Sequence, residues 1–277
     1  MVYDIRSAEQ KRQTRKVLII RLSIFFCVCL VLLGLSVWLS QLRSVQIDTV
    51  TISGATVLPV QDLEKEAQRV LVGKYWFMFP KTNVFLYPQK EVEHVLSEKF
   101  PRIQTFSSAV VDNHILSITV TEREPFALWC DTIPTTTVIP QCYFLDKNGF
   151  VFDHAPQFSG DAYFKYYGIL PYEAPIGSYY LSSTTRFHEL SKFVETAKTL
   201  NITPLYISAK DQNSFELYVF GGGKILFDGT ENMVKVSDRL SALLKTQNLV
   251  PREEGALLVD YIDLRFGNKM FFKPKAQ

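Results

Sequence analysis

The sequence predicts an α+β chain. A single N-terminal transmembrane helix leads into a β-α-α-β-β module, and a strand-rich C-terminal β-domain with two helices follows. Three observations predict this. Residues 22–42 form an apolar run of 21 residues without a charge. Two short segments after it carry apolar residues at helical spacing, between segments that read as strands. From Pro125 onward, alternating apolar and polar residues are punctuated by turn residues. The predicted boundaries are 1–21 for a basic tail, 22–42 for the membrane helix, 44–122 for the module and 125–273 for the β-domain. The 277 residues are 47% hydrophobic and 21% charged, which excludes a disordered or fibrous chain. The net charge of +2 excludes a strongly basic nucleic-acid binder, and no nucleic-acid partner is expected.

The membrane helix comes first. Of residues 22–42, 13 are Leu, Ile, Phe or Val. At the centre of a bilayer these favour insertion by about 4 to 8 kcal/mol in total. The run is longer than the core of a cleaved signal peptide and no A-x-A site follows it, so it reads as an uncleaved anchor. Arg6, Lys11, Arg12, Arg15, Lys16 and Arg21 precede it, against Asp4 and Glu9, a local net of +4. The positive-inside rule puts such a segment in the cytoplasm and the body outside. That makes a single-pass protein of the plasma membrane, in contact with the bilayer through residues 22–42. Cys27 and Cys29 read as apolar filler.

In the module, Val45, Ile47, Val50 and Ile52 fit a strand closed by Gly54. Leu63, Ala67, Val70 and Leu71 share one helical face, and Gly73 ends that helix. After an aromatic stretch (Tyr75, Trp76, Phe77, Phe79), Pro88 opens a second helix carrying Val92, Val95 and Leu96, which Pro101 stops. Strands follow at 105–111 and 115–122. In the β-domain, 143–145 and 150–152 flank an Asp146-Lys147-Asn148-Gly149 turn. Phe187, Leu190, Val194 and Ala197 mark one helix, and Met233, Val236, Leu240, Leu243 and Leu244 the other. Phe215, Leu217 and Val219 alternate along a strand that a triple glycine turns into 224–227. The last strands are 259–266 and 269–273, joined by Gly267-Asn268.

The sequence carries little that resembles an active site. His94, His114, His154 and His188 are scattered, with no HExxH spacing. There is no G-x-S-x-G elbow, no S-x-x-K, and no G-K-[ST] after the triple glycine. No catalytic residue, metal ligand or cofactor is expected, and the protein is read as a non-enzyme. Cys130 and Cys142 flank an eleven-residue insert with two prolines. In an oxidising compartment they suit a disulfide closing a short loop, and two free thiols on neighbouring strands are the alternative.

Without chemistry, the expected work is binding, and a strand edge is the physical means: its unpaired N–H and C=O groups accept a further strand. The candidate is the last strand, with Lys269, Met270, Phe271, Phe272 and Lys273, and the alternative is that this edge is covered by its own chain. A proline at Phe271 is expected to remove one donor from that edge. Asp263 and Arg265 share a face of the strand before it, where they pair with each other or with a neighbouring strand; Ile262, Leu264 and Phe266 take the core-facing side. Arg123 is placed to pair with Glu122 or Glu124, and Pro125 fixes the backbone where one block meets the next.

Four stretches resemble one family. The segment Val45 to Gly54 resembles an opening V-x-V-x-G strand. Thr121-Glu122-Arg123-Glu124-Pro125-Phe126-Ala127-Leu128-Trp129 resembles an E-R-x-P-x-A-x-W junction. Phe144 to Phe152, with Asp146 and Gly149, resembles an I-D-x-x-G-x-V-F hairpin. Ile262-Asp263-Leu264-Arg265-Phe266 resembles an I-D-L-R-Y strand, with Phe in place of Tyr. In this order they are similar to the bacterial cell-division family FtsQ/DivIB. The resemblance implies that 44–122 is a POTRA domain and that the chain is a divisome scaffold at the division septum. It implies binding, outside the membrane, to the small bitopic coiled-coil proteins FtsL and FtsB (DivIC), by strand addition at 269–273. It implies indirect regulation of the septal peptidoglycan synthase FtsW with FtsI. The Cys130–Cys142 insert departs from the family pattern. The alternative is another bitopic envelope protein, either a POTRA-bearing assembly factor or a cell-envelope enzyme with an unrecognised site.

Overall fold

The computed structural model describes residues 3–275 apart from 113, 136–137, 159, 171–173, 248, 250–254 and 268; for 3–12 and 14 it describes the backbone alone. Asn268 of the sequence-predicted turn and the side chains of Arg6, Lys11 and Arg12 therefore lie outside what is described. The chain is a mixed α/β protein dominated by sheet, with one N-terminal apolar helix. It divides into two compact units, residues 1–99 with 103–122, and residues 100–102 with 123–277.

The first unit opens with α1, Tyr3–Ser40. Residues 15–40 are long and apolar enough to cross a membrane, and the protein buries none of their most apolar window. The helix runs unbroken through the basic stretch and stops at Ser40, two residues short of the end of the uncharged run. Val45 is not on a strand. It lies in a 3-10 turn, Arg43–Val45, closed by the Val45 N–H on the Leu42 carbonyl at 3.1 Å. Residues 45–47 bond instead to 82–84, through Val84 N–H to Val45 O and Ile47 N–H to Thr82 O.

Strand β1 (Thr49–Ser53) is followed by α2 (Val60–Leu71), a small hairpin of β2 (Lys74–Tyr75) and β3 (Phe79–Pro80), α3 (Gln89–Lys99), β4 (Ile103–Val111) and β5 (Ile115–Glu122). The main sheet has the order β1-β5-β4, with β1 parallel and β4 antiparallel to β5. Leu63, Ala67, Val70 and Leu71 from α2, and Val92 and Leu96 from α3, are buried with Val50, Leu116, Ile118 and Val120 of the sheet. Gly54 ends β1 at φ +85°, where a Cβ would lie 2.1 Å from the Val120 carbonyl oxygen; only glycine allows that approach.

The second unit holds β6 (Ala127–Cys130), β7 (Cys142–Leu145), β8 (Val151–His154), β9 (Lys165–Tyr167), α4 (Thr184–Thr199), β10 (Pro204–Ala209), β11 (Ser214–Val219), β12 (Lys224–Asp228), α5 (Met233–Thr246), β13 (Val259–Phe266) and β14 (Lys269–Pro274). The strands form one sheet in the order β14-β13-β12-β11-β10-β9-β6-β7-β8. The β12–β13, β9–β10 and β6–β9 pairs are parallel, and the other pairs are antiparallel.

Alternation sends Trp129, Ile207, Phe215, Leu217, Ile225, Phe227, Ile262 and Leu264 into one core with Phe187, Leu190 and Val194 of α4 and Val236, Leu240 and Leu243 of α5. Ser183 caps α4 and Asn232 caps α5 with side-chain oxygens that accept backbone N–H groups. Phe266 does not face this core: it is 56% exposed. A register shift between Asp263 and Phe266 breaks the period-two alternation, so reading the pattern straight through the strand gives the wrong side.

Candidate functional site

Strand β14 is the last of the nine. It pairs with β13 through Tyr261 with Lys273, Ile262 with Phe272, and Asp263 with Phe271. Among the described residues, no strand pairs with its other side. Met270 and Phe272 pack against the helix-covered core, while Phe271 is half exposed on the opposite face. The Phe271 ring meets Phe266 edge-on, with centroids 5.6 Å apart. Lys273 pairs with Asp260 at 2.7 Å, and Lys269 is exposed.

Amide direction follows from the register. The Lys275 N–H donates to the Leu258 carbonyl, on the β13 side. Amides alternate along a strand, so those of Lys273 and Phe271 also face β13, and those of Met270 and Phe272 face the open side. This corrects the expectation for Phe271: a proline there strikes the β13–β14 ladder rather than the free edge. Pro274, which has no N–H, falls on the open side, where edge strands tolerate proline.

Next to the edge, the face of the sheet away from the helices carries a polar and aromatic band. Tyr206 stacks on Tyr218 with centroids 4.5 Å apart, and Tyr167 meets Tyr206 edge-on. Glu216 accepts from the Tyr218 hydroxyl at 2.8 Å and from Lys224 Nζ at 3.0 Å. Burial raises the Glu216 pKa, but Lys224 and the Tyr218 hydroxyl outweigh it, and the net shift is downward. Burial and the Glu216 carboxylate push the Tyr218 phenol up to about 12. On β13, Arg265 forks onto Asp263 at 2.9 and 2.6 Å. Burial opposes ionisation of Asp263, yet the Arg265 hydrogen bonds leave its carboxyl below the usual range. Asp263 thus pairs along its own strand, and Leu264 between them is buried.

No family model matches the chain, and no curated protein matches it.

The remaining residues of the junction and hairpin hold the second unit together at its far end, apart from Glu122, which belongs to the first. The Glu122 carboxylate accepts the backbone N–H groups of Thr56, Val57 and Leu58 at 2.7, 3.0 and 2.9 Å, fixing the turn before α2. Burial raises its pKa, and these donors more than reverse that. Arg123 pairs with neither Glu122 nor Glu124. Its guanidinium binds Asp146, lies 4.2 Å from the Phe150 ring centroid and donates to the Pro101 carbonyl. Asp146, buried beneath it, also accepts from Asn148 and Phe150 N–H, which shapes the turn. Gly149 sits at φ +78°, with the Phe187 ring 2.7 Å from where a Cβ would be. Trp129 Nε1 donates to the Gly168 carbonyl at 3.0 Å. Pro125 precedes β6 and is partly buried.

Cys130 and Cys142, opposite each other on β6 and β7, form a disulfide. A cleft of about 430 Å³ lies beside it, lined by Leu128, Ile139, Pro140, Phe158 and Tyr167. The histidines stand apart. His188 lies 3.0 Å from Asn148 Oδ1, His94 pairs with Glu98, His114 lies beside Asp48, and His154 packs on Tyr143. Among the described residues, no group of three or more His, Cys, Asp and Glu is placed to hold a metal.

Sequence reasoning missed the Tyr167–Tyr206–Tyr218 band. The residues between Phe215, Leu217 and Val219 carried the clue, since alternation puts Glu216 and Tyr218 on the face that the helices leave open.

Proposed function

We propose that the chain is a non-enzymatic, single-pass scaffold of the FtsQ/DivIB kind, which captures bitopic FtsL- and FtsB/DivIC-like partners by strand addition along β14. One observation carries the reading: β14 ends a nine-stranded sheet with its outer side unpaired among the described residues. A strand docking there gains backbone hydrogen bonds from the Met270 and Phe272 amides, and side-chain contacts with Phe271 and Phe266. Apart from the small β2–β3 hairpin between its helices, the first unit after α1 runs β1-α2-α3-β4-β5 with the sheet order β1-β5-β4, which supports its reading as a POTRA domain that serves recruitment. The basic residues in the first half of α1, ahead of its apolar run, support a cytoplasmic N-terminus and an extracytoplasmic body. The bound assembly would then regulate septal synthesis by FtsW and FtsI indirectly.

The test is localisation in the source organism. A fluorescent protein fused to Met1, in a strain whose only copy is the fusion, should form a mid-cell band that appears with constriction. An even envelope signal from a functional fusion would reject the division role and leave another bitopic envelope function in its place.

A further inference from the structure

The end of α1 is tied to two loops that carry the most exposed aromatic residues of the first unit. The hairpin between β2 and β3 presents Trp76 and Phe77, 82% and 96% exposed, and the turn after Asn83 presents Phe85, 83% exposed. Trp76 and Phe77 have φ of 46° and 62°, so two successive left-handed residues turn both rings away from the core. Two side chains bring these loops to the helix end. Asn83 is buried; its Nδ2 donates to the Ser40 carbonyl at 3.1 Å, and its Oδ1 accepts the Phe85 N–H at 3.0 Å. Gln41 Nε2 donates to the Met78 carbonyl at 3.3 Å. Trp38, in the last turn of α1, is itself 62% exposed.

Three large aromatic residues facing water around one helix end are costly unless something covers them. Their height suggests what does. The loop backbone meets α1 at Ser40 and Gln41, within about one helical turn of 5.4 Å from Trp38. The headgroup zone on each side of a bilayer core is about 5 to 8 Å deep. A helix that crosses the bilayer and ends at Ser40 therefore places the hairpin tip at headgroup height, where Trp and other aromatic side chains concentrate. The stretch from Tyr75 to Phe79 has no charge; the exposed Lys74 precedes it, and the exposed Arg43 follows the end of α1, both cations suited to lipid phosphates.

We propose that Trp76, Phe77 and Phe85 insert into the headgroup layer of the membrane that α1 crosses. They form a second, peripheral contact that holds the first unit against the lipid surface. The proposal rests on the reading of α1 as a membrane span, and its test separates the two.

The full-length chain is placed in phosphatidylcholine nanodiscs containing a lipid with a spin label near the headgroup, and tryptophan emission is read. Of the three tryptophans, Trp129 is fully buried and supplies an unquenched baseline. In Trp38→Phe, emission from Trp76 should be quenched by the shallow label, and more weakly by a label deep in the acyl chain. In Trp76→Phe, the remaining Trp38 reports whether α1 lies in lipid. Quenching in both variants supports the insertion. Quenching in Trp76→Phe alone keeps the membrane span and overturns the insertion, leaving the patch to a protein partner. Quenching in neither overturns the span and the insertion together.

Discussion

The two edges of the nine-stranded sheet are finished in opposite ways. On β8 the Val151 N–H donates to the Ser178 carbonyl at 2.9 Å, and the Val151 carbonyl accepts the Gly177 N–H at 2.8 Å. Phe150 bridges to Tyr179, and Arg102 covers the strand, pairing with Asp153 at 2.9 Å and lying over the Phe152 ring. That edge is sealed by the unit's own chain. On β14 the described residues supply no such cover, and Lys269, Lys273 and Pro274 alone moderate the exposed ladder. A fold able to seal one edge so thoroughly has the means to seal the other. Under the proposed reading the open edge is the docking surface, with charge and proline restricting what can add to it.

Changes on the sealed side should affect stability and leave binding intact. Asp146→Ala should have the largest effect. It strands the Arg123 guanidinium and removes the acceptor for two turn amides, and breaking a pair buried this deeply costs about 3 to 5 kcal/mol. Thermal denaturation should show that loss, with partner affinity per folded molecule unchanged. The double change Cys130→Ala and Cys142→Ala opens the loop next to the same edge. On the chain-entropy model it should cost about 3 kcal/mol, readable in urea unfolding, with the reduced wild-type protein behaving alike.

Changes on the open side should do the reverse. Phe272→Pro removes an outward donor, and losing one hydrogen bond of about 1 to 1.5 kcal/mol weakens partner binding roughly tenfold. Phe272→Ala keeps the donor and controls for lost packing. Phe271→Pro should instead destabilise the β13–β14 hairpin before it affects affinity. If the two prolines weaken binding equally in folded protein, the assignment of amide directions is wrong. The smallest effect is pH-dependent. Asp263 has its folded pKa held below the unfolded value by Arg265, so its contribution is present above the ordinary carboxylate pKa. It is lost as pH falls through the folded value, so Asp263→Asn should lower the neutral plateau slightly and flatten the acid limb, leaving stability at the lowest pH unchanged.

The legible parts of the fold were those whose determinants are close together in sequence. One helical period selects Leu63, Ala67, Val70 and Leu71, and all four are buried. The same holds for Met233, Val236, Leu240, Leu243 and Leu244 in α5. What was hidden depends on distant pairing. Arg123 finds Asp146 across a chain separation that its neighbours Glu122 and Glu124 obscure. Strand β9 has three residues, too few for a pattern, and its parallel partners β6 and β10 are set by topology. Phe266 was misread because a bulge is a property of register rather than of residue type. The edge itself was visible as a last apolar strand, but which amides face outward needed the bond from Lys275 to Leu258.

The most direct measurement of strand capture is residue-resolved amide hydrogen exchange along β14, in the full-length chain, with and without the extracytoplasmic segment of the FtsB/DivIC-like protein of the same organism. In the free protein, Phe271 and Lys273 should exchange slowly and Met270 and Phe272 quickly. At saturating partner, Met270 and Phe272 should become protected while their neighbours change little. If Met270 and Phe272 stay fast under saturation, or are already slow without a partner, the edge is not the docking strand and the account fails at its centre.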